Sequence, residues 1–372
     1  MATRQSKDDG HFMARALELA ALGAGTTNPN PMVGCVVVRA GRVVGQGHHV
    51  RAGGAHAEPI ALEQAGAAAR GATAYVNLEP CAHRGRTAPC APLLAAAGVR
   101  RVVAAIGDPD PRVHGRGLAL LRRAGIEVET GVLGDEARLL NQRFLTAARA
   151  DRPFVLLKAA TTLDGRIATV TGDSQWITSA AQRRAARRMR GLHDGVAVGI
   201  GTVLADDPLL LPSPRLKRPF RRIVFDSRLR LPVASRLVAT AHQSPVIVLT
   251  RRSRGRRVAE LRDRGVTVVS HPGAGRRVPL AWGLGALLAR GVSSLMVEGG
   301  SELLGSFAAE GRFDQLALFR APLLLGGRGS LAAFGGPDPT RIEDAVALTR
   351  WSAQAGRNGP AGDPLLPADC DV

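Results

Sequence analysis

Short runs rich in valine and isoleucine alternate along this chain with segments of helical period. That alternation restricts the fold to the α/β class, in which strands feed helices that return over a sheet. Residues 8–23 read as a helix. Asp8 and Asp9 complement the positive end of its dipole, and Phe12, Ala16, Leu17 and Ala20 form an apolar stripe. After the turn-rich TTNPNP, the run VGCVVVRAGRVVGQG reads as a hairpin turning at Ala40-Gly41. A helix from near His56, strand ATAYVNL, helix 91–97, strand RRVVAAIG, helix 115–124, strand IEVETG and helix 135–148 follow. Asp151-Arg152-Pro153 then breaks the pattern, and a new strand, PFVLLKAA, begins at once.

A chain of 372 residues exceeds one comfortable core, so this break divides it into domains 1–150 and 151–352. Strands GVAVGIG, RRIVFD, PVIVLT, VTVVS, SSLMVEG and QLALFRAP, with helices 179–190, 256–264, 280–290 and 301–309, give the second domain the same class. The segment 353–372 is rich in Gly, Pro, Ala and Asp without periodicity and is expected to be a disordered tail.

No run of about 18 apolar residues is present and the N-terminus is polar, so a cytoplasmic protein without a membrane partner is expected. The net charge of +19 favours anionic partners, but one Tyr, three Trp and nine Phe offer few stacking platforms, which argues against single-stranded nucleic acid. Four cysteines in a cytosolic chain of this length suit metal or catalytic chemistry better than disulfides. Cys35 lies within an apolar strand and reads as core; Cys370 falls in the tail.

The sharpest chemistry is His56-Ala57-Glu58 followed by Pro80-Cys81 and then Cys90. Displacing an aromatic amine with water needs a strong nucleophile near neutral pH. A zinc ion held by His56, Cys81 and Cys90 leaves its fourth position open and acidifies water there. Glu58, a carboxylate that is not a ligand, then moves protons to the ring nitrogen and the departing ammonia. Histidine-x-glutamate with a later proline-cysteine is the zinc deaminase pattern. The spacing departs from the general pattern, which has two residues between the cysteines where this chain has eight.

These residues, together with Asn28-Pro29-Asn30-Pro31-Met32-Val33-Gly34 and Glu79-Pro80-Cys81-Ala82-His83-Arg84-Gly85-Arg86-Thr87-Ala88-Pro89-Cys90, resemble the pyrimidine deaminases of the riboflavin pathway, in which the long inter-cysteine loop is normal. The likeness continues through Asp108-Pro109-Asp110-Pro111, Gly115-Arg116-Gly117, Leu163-Asp164-Gly165-Arg166, Ser174-Gln175-Trp176, Asp206-Asp207-Pro208 and Glu298-Gly299-Gly300, to about residue 335. It implies a cytidine-deaminase-like α/β/α domain followed by a dihydrofolate-reductase-like α/β domain. It implies deamination of 2,5-diamino-6-(5-phosphoribosylamino)pyrimidin-4-one, then NADPH-dependent reduction of the ribosyl chain to ribityl. In the first half it implies substrate contacts at Asn30, His49 and Arg86. Without it, His49 reads as a solvated loop residue beside His48.

The second half has no Gly-x-Gly-x-x-Gly after a strand, so a standard dinucleotide fold is not supported. Gly299, Gly300 and Ser301, between a strand and a helix, are the phosphate candidates, because glycines admit a phosphate to the backbone and a helix start supplies N–H donors. By resemblance, Asp206 is the acid of the reducing site and also touches the cofactor. Ala160, Trp176, Thr202 and Ser227 line the cofactor, and Ser174, Arg190, Leu210 and Glu298 face the substrate. Read from the residues alone, Asp206-Asp207 is a solvated turn, Trp176 a core aromatic, and most arginines of RRAARRMR solvated. Lys158 has no evident role, and Arg215 stands a few residues after the position where the family presents an arginine.

Two other readings remain open at this stage. One is a deaminase of a nucleic acid base; the other is a basic scaffold with degenerate sites. The long inter-cysteine loop and the second half oppose the first, and the intact ligand set opposes the second. The expected partner is a small phosphorylated pyrimidine, with assembly into a homo-oligomer allowed.

Overall fold

Ala40 and Gly41 take positive φ angles of 49° and 74°, as a two-residue hairpin turn of right-handed twist demands. Strand β1 (Gly34–Arg39) thereby folds directly onto β2 (Arg42–His48), with Arg39 opposite Arg42. The computed structural model describes residues 4–83, 88–110, 113–150 and 152–349. The chain divides into two compact units, Met1–Asp151 and Arg152–Val372.

The first unit comprises α1 (Arg4–Ala21), the hairpin, α2 (Ala57–Ala65), β3 (Thr73–Val76), α3 (Cys90–Ala96), β4 (Arg101–Ala104), α4 (Arg116–Arg123), β5 (Glu127–Thr130), α5 (Gly134–Leu140) and α6 (Gln142–Arg149). Its sheet runs β2-β1-β3-β4-β5, antiparallel at β1 and parallel from β3 to β5. Side chains alternate across it. Val36, Tyr75 and Val103 meet Met13, Ala16, Ala137 and Leu145 on one face. On the other face Val76, Val102 and Ala104 meet Leu94, Leu118 and Leu121, and Cys35 and Val37 meet Ala57 and Ala61. Two helical layers thus enclose the sheet. Helix α2 lies backbone-close on β2: a Cβ at Gly45 would stand 2.1 Å from Ala61 O, and one at Gly47 would stand 2.7 Å from Ala57 O.

The expected helix 135–148 is two helices. At Asn141 the side chain leaves the helical path to bind the Met32 peptide, accepting from its N–H at 2.8 Å and donating to its carbonyl at 2.9 Å.

The second unit comprises β6 (Phe154–Thr161), β7 (Arg166–Ala168), α7 (Ala180–Arg190), β8 (Gly195–Gly199), α8 (Ile200–Asp206), β9 (Arg221–Phe225), α9 (Arg236–Ala239), β10 (Val246–Thr250), α10 (Arg256–Asp263), β11 (Val266–Ser270), α11 (Leu280–Leu288), β12 (Ser294–Val297), α12 (Ser301–Ala309), β13 (Gln315–Arg320) and β14 (Leu331–Ala332). Seven strands run β11-β10-β9-β8-β12-β6-β13, and all six neighbouring pairs are parallel. Both faces are covered. Leu157, Ile223 and Leu295 pack against Leu284, Leu287 and Phe307, while Val198, Val224 and Val248 pack against Val203, Leu237 and Leu261. Burial on both faces explains why these strands read as unbroken apolar runs. Full burial of a side chain such as Phe307 or Leu261 contributes about 2–3 kcal/mol.

GVAVGIG is not one strand. It ends at Gly199, and Ile200 and Gly201 open α8, so Asp206 closes a helix and does not follow a turn. An apolar run of this length does not separate the two states by periodicity. The short β7, α9 and β14 also lacked a sequence signal. Helix α8 leads from β8 to β9 on one side, and α12 leads from β12 to β13 on the other. Adjacent strands whose connections depart in opposite directions leave a crevice at their carboxyl ends, here between β8 and β12.

Candidate active sites

In the first unit, His56 is the N-cap of α2, Cys90 is the first residue of α3, and Cys81 lies in the loop after β3. His56 Nδ1 lies 3.2 Å from Cys90 Sγ and 3.7 Å from Cys81 Sγ, and the Cys90 N–H donates to Cys81 Sγ at 3.4 Å. All three ligand atoms fall within 4.8 Å of one another. Zinc bonded to sulfur at ≈ 2.3 Å and nitrogen at ≈ 2.0 Å sets tetrahedral ligands roughly 3.3–3.8 Å apart, so this donor set fits the metal. Hydrogen bonds from Cys90 and His56 hold the Cys81 thiol down to about 4, against the opposing effect of burial. The same contact with Cys81, together with burial, pushes the Cys90 thiol well up.

Glu58 lies in the first turn of α2 and is buried. Burial raises its pKa, and its Oε2 has no hydrogen-bond partner among the described residues. A carboxyl so placed can take a proton and return it. His49 is buried and not solvated. Its Nδ1 lies 2.8 Å from Ala55 O, which makes Nδ1 the donor and leaves Nε2 to accept from Asn30 Nδ2 at 3.2 Å. Its ring centroid is 5.5 Å from that of His56, so Asn30, His49 and the ligand cluster are contiguous. Arg86 lies outside the described residues, as do Cys370 and the tail from Ala353.

In the second unit, the crevice between β8 and β12 is lined by main chain. Gly199 N–H donates to Gly299 O at 2.7 Å, and a Cβ at Gly300 would stand 3.2 Å from Thr202 Oγ1. Gly299 takes a φ of 125°, outside the range of other residues. The Ser301 hydroxyl does not face this crevice freely; it donates to Ala332 O at 2.7 Å. Ala160 is the penultimate residue of β6, toward the same carboxyl edge, and Ser227 follows β9 there, with its Oγ accepting from Val278 N–H at 2.9 Å.

Glu298 and Arg190 form a two-toothed ion pair, Nε–Oε1 2.5 Å and Nη2–Oε2 2.8 Å, and Arg190 Nη1 also donates to Leu211 O at 2.9 Å. Burial opposes ionisation of Glu298, but Arg190 and Lys158 together hold its carboxyl below the ordinary value. Burial lowers the Lys158 pKa, and its Nζ lies 5.5 Å from the Phe319 ring centroid.

The adjacent acids differ. Asp207 Oδ1 accepts from Arg236 N–H at 2.9 Å and pins the start of α9, whereas Asp206 is exposed and desolvation by its surroundings raises its pKa. Trp176 is no core residue. It is 65% exposed and carries the Arg183 guanidinium 4.3 Å above its ring. Ser174 is half-buried in the same loop. The Leu210 side chain is buried among Val224, Leu229 and Leu237, so any contact it makes with substrate is through its main chain. Arg215 is exposed.

Residues 153–359 match the RibD C-terminal domain, and residues 6–106 match the cytidine and deoxycytidylate deaminase zinc-binding region. The chain belongs to the RibD family. It is 44% identical over 320 residues to the riboflavin biosynthesis protein RibD of Aquifex aeolicus, covering 86% of this chain and 88% of that one. The solved RibD of Acinetobacter baumannii superposes with a TM-score of 0.82 at 38% identity, covering 92% of this chain and 94% of that one. A Thermotoga maritima structure described as a diaminohydroxyphosphoribosylaminopyrimidine deaminase/5-amino-6-(5-phosphoribosylamino)uracil reductase gives 0.80 at 36% identity, covering 91% and 93%.

As a RibD, the chain is a bifunctional deaminase and reductase of riboflavin biosynthesis, using zinc in one half and NADPH in the other. The α/β class and the two expected domain types hold. No helix among the described residues is long and apolar enough to cross a membrane.

Two acids of the RibD motifs carried no role from sequence. Glu79 accepts main-chain N–H groups from the α4 start, and Asp164 accepts from Leu325 and Gly326 N–H at 3.3 and 2.8 Å. Apart from the Thr162 hydroxyl, which donates to Asp164 at 2.6 Å, these partners are main-chain groups distant in sequence, so only the fold reveals them.

Proposed function

We propose that the first unit deaminates 2,5-diamino-6-(5-phosphoribosylamino)pyrimidin-4-one and that the second reduces the ribosyl chain of the product to ribityl. The observation that carries the first half is the convergence of His56, Cys81 and Cys90 within 4.8 Å beside the buried carboxyl of Glu58. These three residues would hold zinc, which supplies Lewis acidity toward water when bound. Glu58 takes the two protons of water in turn, passing the first to the ring nitrogen and the second to the amine that leaves as ammonia. Asn30 and His49 orient the pyrimidine, with His49 held in one tautomer by Ala55 O.

In the second unit NADPH would supply the hydride. Gly299 and Gly300 admit its phosphates to the backbone, and Ala160, Trp176, Thr202 and Ser227 line its path along the carboxyl edge of the sheet. Asp206, the unpinned member of its pair, delivers a proton to the oxygen that gains charge as the sugar carbon is reduced. Glu298, Arg190, Ser174 and the Leu210 main chain bound the substrate side, with the reductase half spanning residues 151–352. This reading implies a cytoplasmic enzyme, where the substrate and NADPH are held.

Ammonia release and NADPH oxidation, followed separately, test the assignment. Glu58→Gln is expected to lower ammonia release by about 10²–10⁴-fold and to leave reduction of supplied deaminated substrate within twofold. Asp206→Asn is expected to do the reverse. Normal reduction by Asp206→Asn with intact NADPH binding would remove Asp206 from its role.

A further inference from the structure

The Glu79 carboxylate is buried two residues before Cys81, and both of its oxygens are used. Oε1 accepts from Gly117 N–H at 2.9 Å and Leu118 N–H at 3.4 Å. Oε2 accepts from Gly115 N–H at 2.9 Å and Asp108 N–H at 3.2 Å. Helix α4 has no acidic residue in its first turn, and its N-cap, Gly115, has no side chain. Glu79 therefore supplies from another part of the chain both the hydrogen bonds and the negative charge that this helix start lacks.

The contact also runs in the other direction. A Cβ at Gly117 would stand 1.9 Å from Pro80 O, so glycine there lets the Glu79–Cys81 segment lie directly on α4. Glu79 N–H donates to Ile106 O at 2.9 Å, and Cys81 O accepts from Ala91 N–H at 3.0 Å. The segment carrying Cys81 is thus tied to Ile106 just past β4, to α3 and to α4, and the hydrogen bonds to α4 run through one carboxylate.

We propose that Glu79 is a positioning residue for the metal: it fixes the Cys81 sulfur at its place in the donor set by anchoring the loop to the start of α4, with Gly117 as the matching half of the anchor. The proposal rests on Cys81 being a ligand. Glu79→Gln keeps the shape but replaces one acceptor oxygen with an NH₂ that confronts N–H donors. Gly117→Ala forces the loop away from the opposite side.

The test uses the full chain loaded with zinc and measures release of the metal to excess chelator, alongside the absorption spectrum of the cobalt(II) form. Partners that orient a ligand typically change metal affinity 10–100-fold. Glu79→Gln and Gly117→Ala are each expected to release zinc at least about tenfold faster than the parent, to alter the cobalt spectrum, and to show no further loss when combined. NADPH oxidation on supplied deaminated substrate reports that the rest of the chain is intact. Leu121→Ala, which cuts into the core beneath α4 without touching Glu79, separates positioning from stability. It is expected to lower Tm without hastening release at temperatures where every variant is folded.

Release within twofold of the parent in both anchor variants overturns the proposal, as does equally fast release from Leu121→Ala. Should Glu79→Gln not accumulate, Glu79→Asp, which withdraws the carboxylate by one methylene, is judged by the same criterion. A parent that binds no zinc overturns the ligand assignment itself, a result distinct from either of these.

Discussion

The two units solve the problem of site building with different materials. The first gathers side chains of rare chemistry, one imidazole, two sulfurs and a carboxyl, at the starts of α2 and α3 and in the loop after β3. The second, in the assignment proposed above, works largely with main chain, through glycines at the carboxyl ends of parallel strands and a loop whose leucine side chain faces the core. A site of side chains is lost when one atom type changes. A site of main chain is lost when a backbone shape changes, whatever the side chain's chemistry.

The largest expected effect divides the units outright. Removing the metal with a chelator should abolish ammonia release and leave NADPH oxidation on supplied intermediate unchanged, measured on the same sample. Parallel loss of both activities would show that the contrast between the units is false. A smaller effect is expected from Gly299→Ala, which adds a methyl group at a φ of 125°. Such strain costs roughly 1–2 kcal/mol, so NADPH titration should show about tenfold weaker binding with ammonia release unaffected.

The last test concerns stability and leaves both activities unchanged. Asp9 takes two 2.8 Å hydrogen bonds from Arg101, both side chains being buried, and Tyr75 O–H donates to it at 2.7 Å. The Arg101 hydrogen bonds hold the Asp9 carboxyl below its ordinary value, against burial. Its stabilisation is therefore present above the unfolded value of about 3.9 and lost as pH falls through the folded one. Asp9→Asn should cost roughly 1–3 kcal/mol near neutrality, since Glu129 still pairs with Arg101. In denaturant titrations the gap from the parent should close toward pH 3. A gap independent of pH would mean that packing, not charge, is what Asp9 contributes.

The same contrast explains what could be read in advance. His56, Glu58, Cys81 and Cys90 were legible because few other arrangements use those residue types at such spacing. The hairpin was legible because Ala40-Gly41 sits between two apolar runs. Helix α8 was not, because Ile200 and Gly201 extend an apolar run that suits either state. His49 looked solvated because nothing local shows that Ala55 O and Asn30 converge on it. Trp176 looked like core because aromatics usually are; its partner, Arg183, lies in the next helix. Asp206 and Asp207 are indistinguishable as letters, and only the N–H of Arg236 tells them apart.

Asn141 grips the peptide of Met32 on both sides, and Asn77 adds a hydrogen bond to the same carbonyl at 2.9 Å. The zinc-binding match ends at residue 106, well short of that grip. A chain trimmed to its matched region would therefore keep His56, Cys81 and Cys90 but lose both Asn141's hold on Met32 and the main-chain donors of α4 that receive Glu79. The matched region is thus shorter than the length of chain that holds its own donor residues in place.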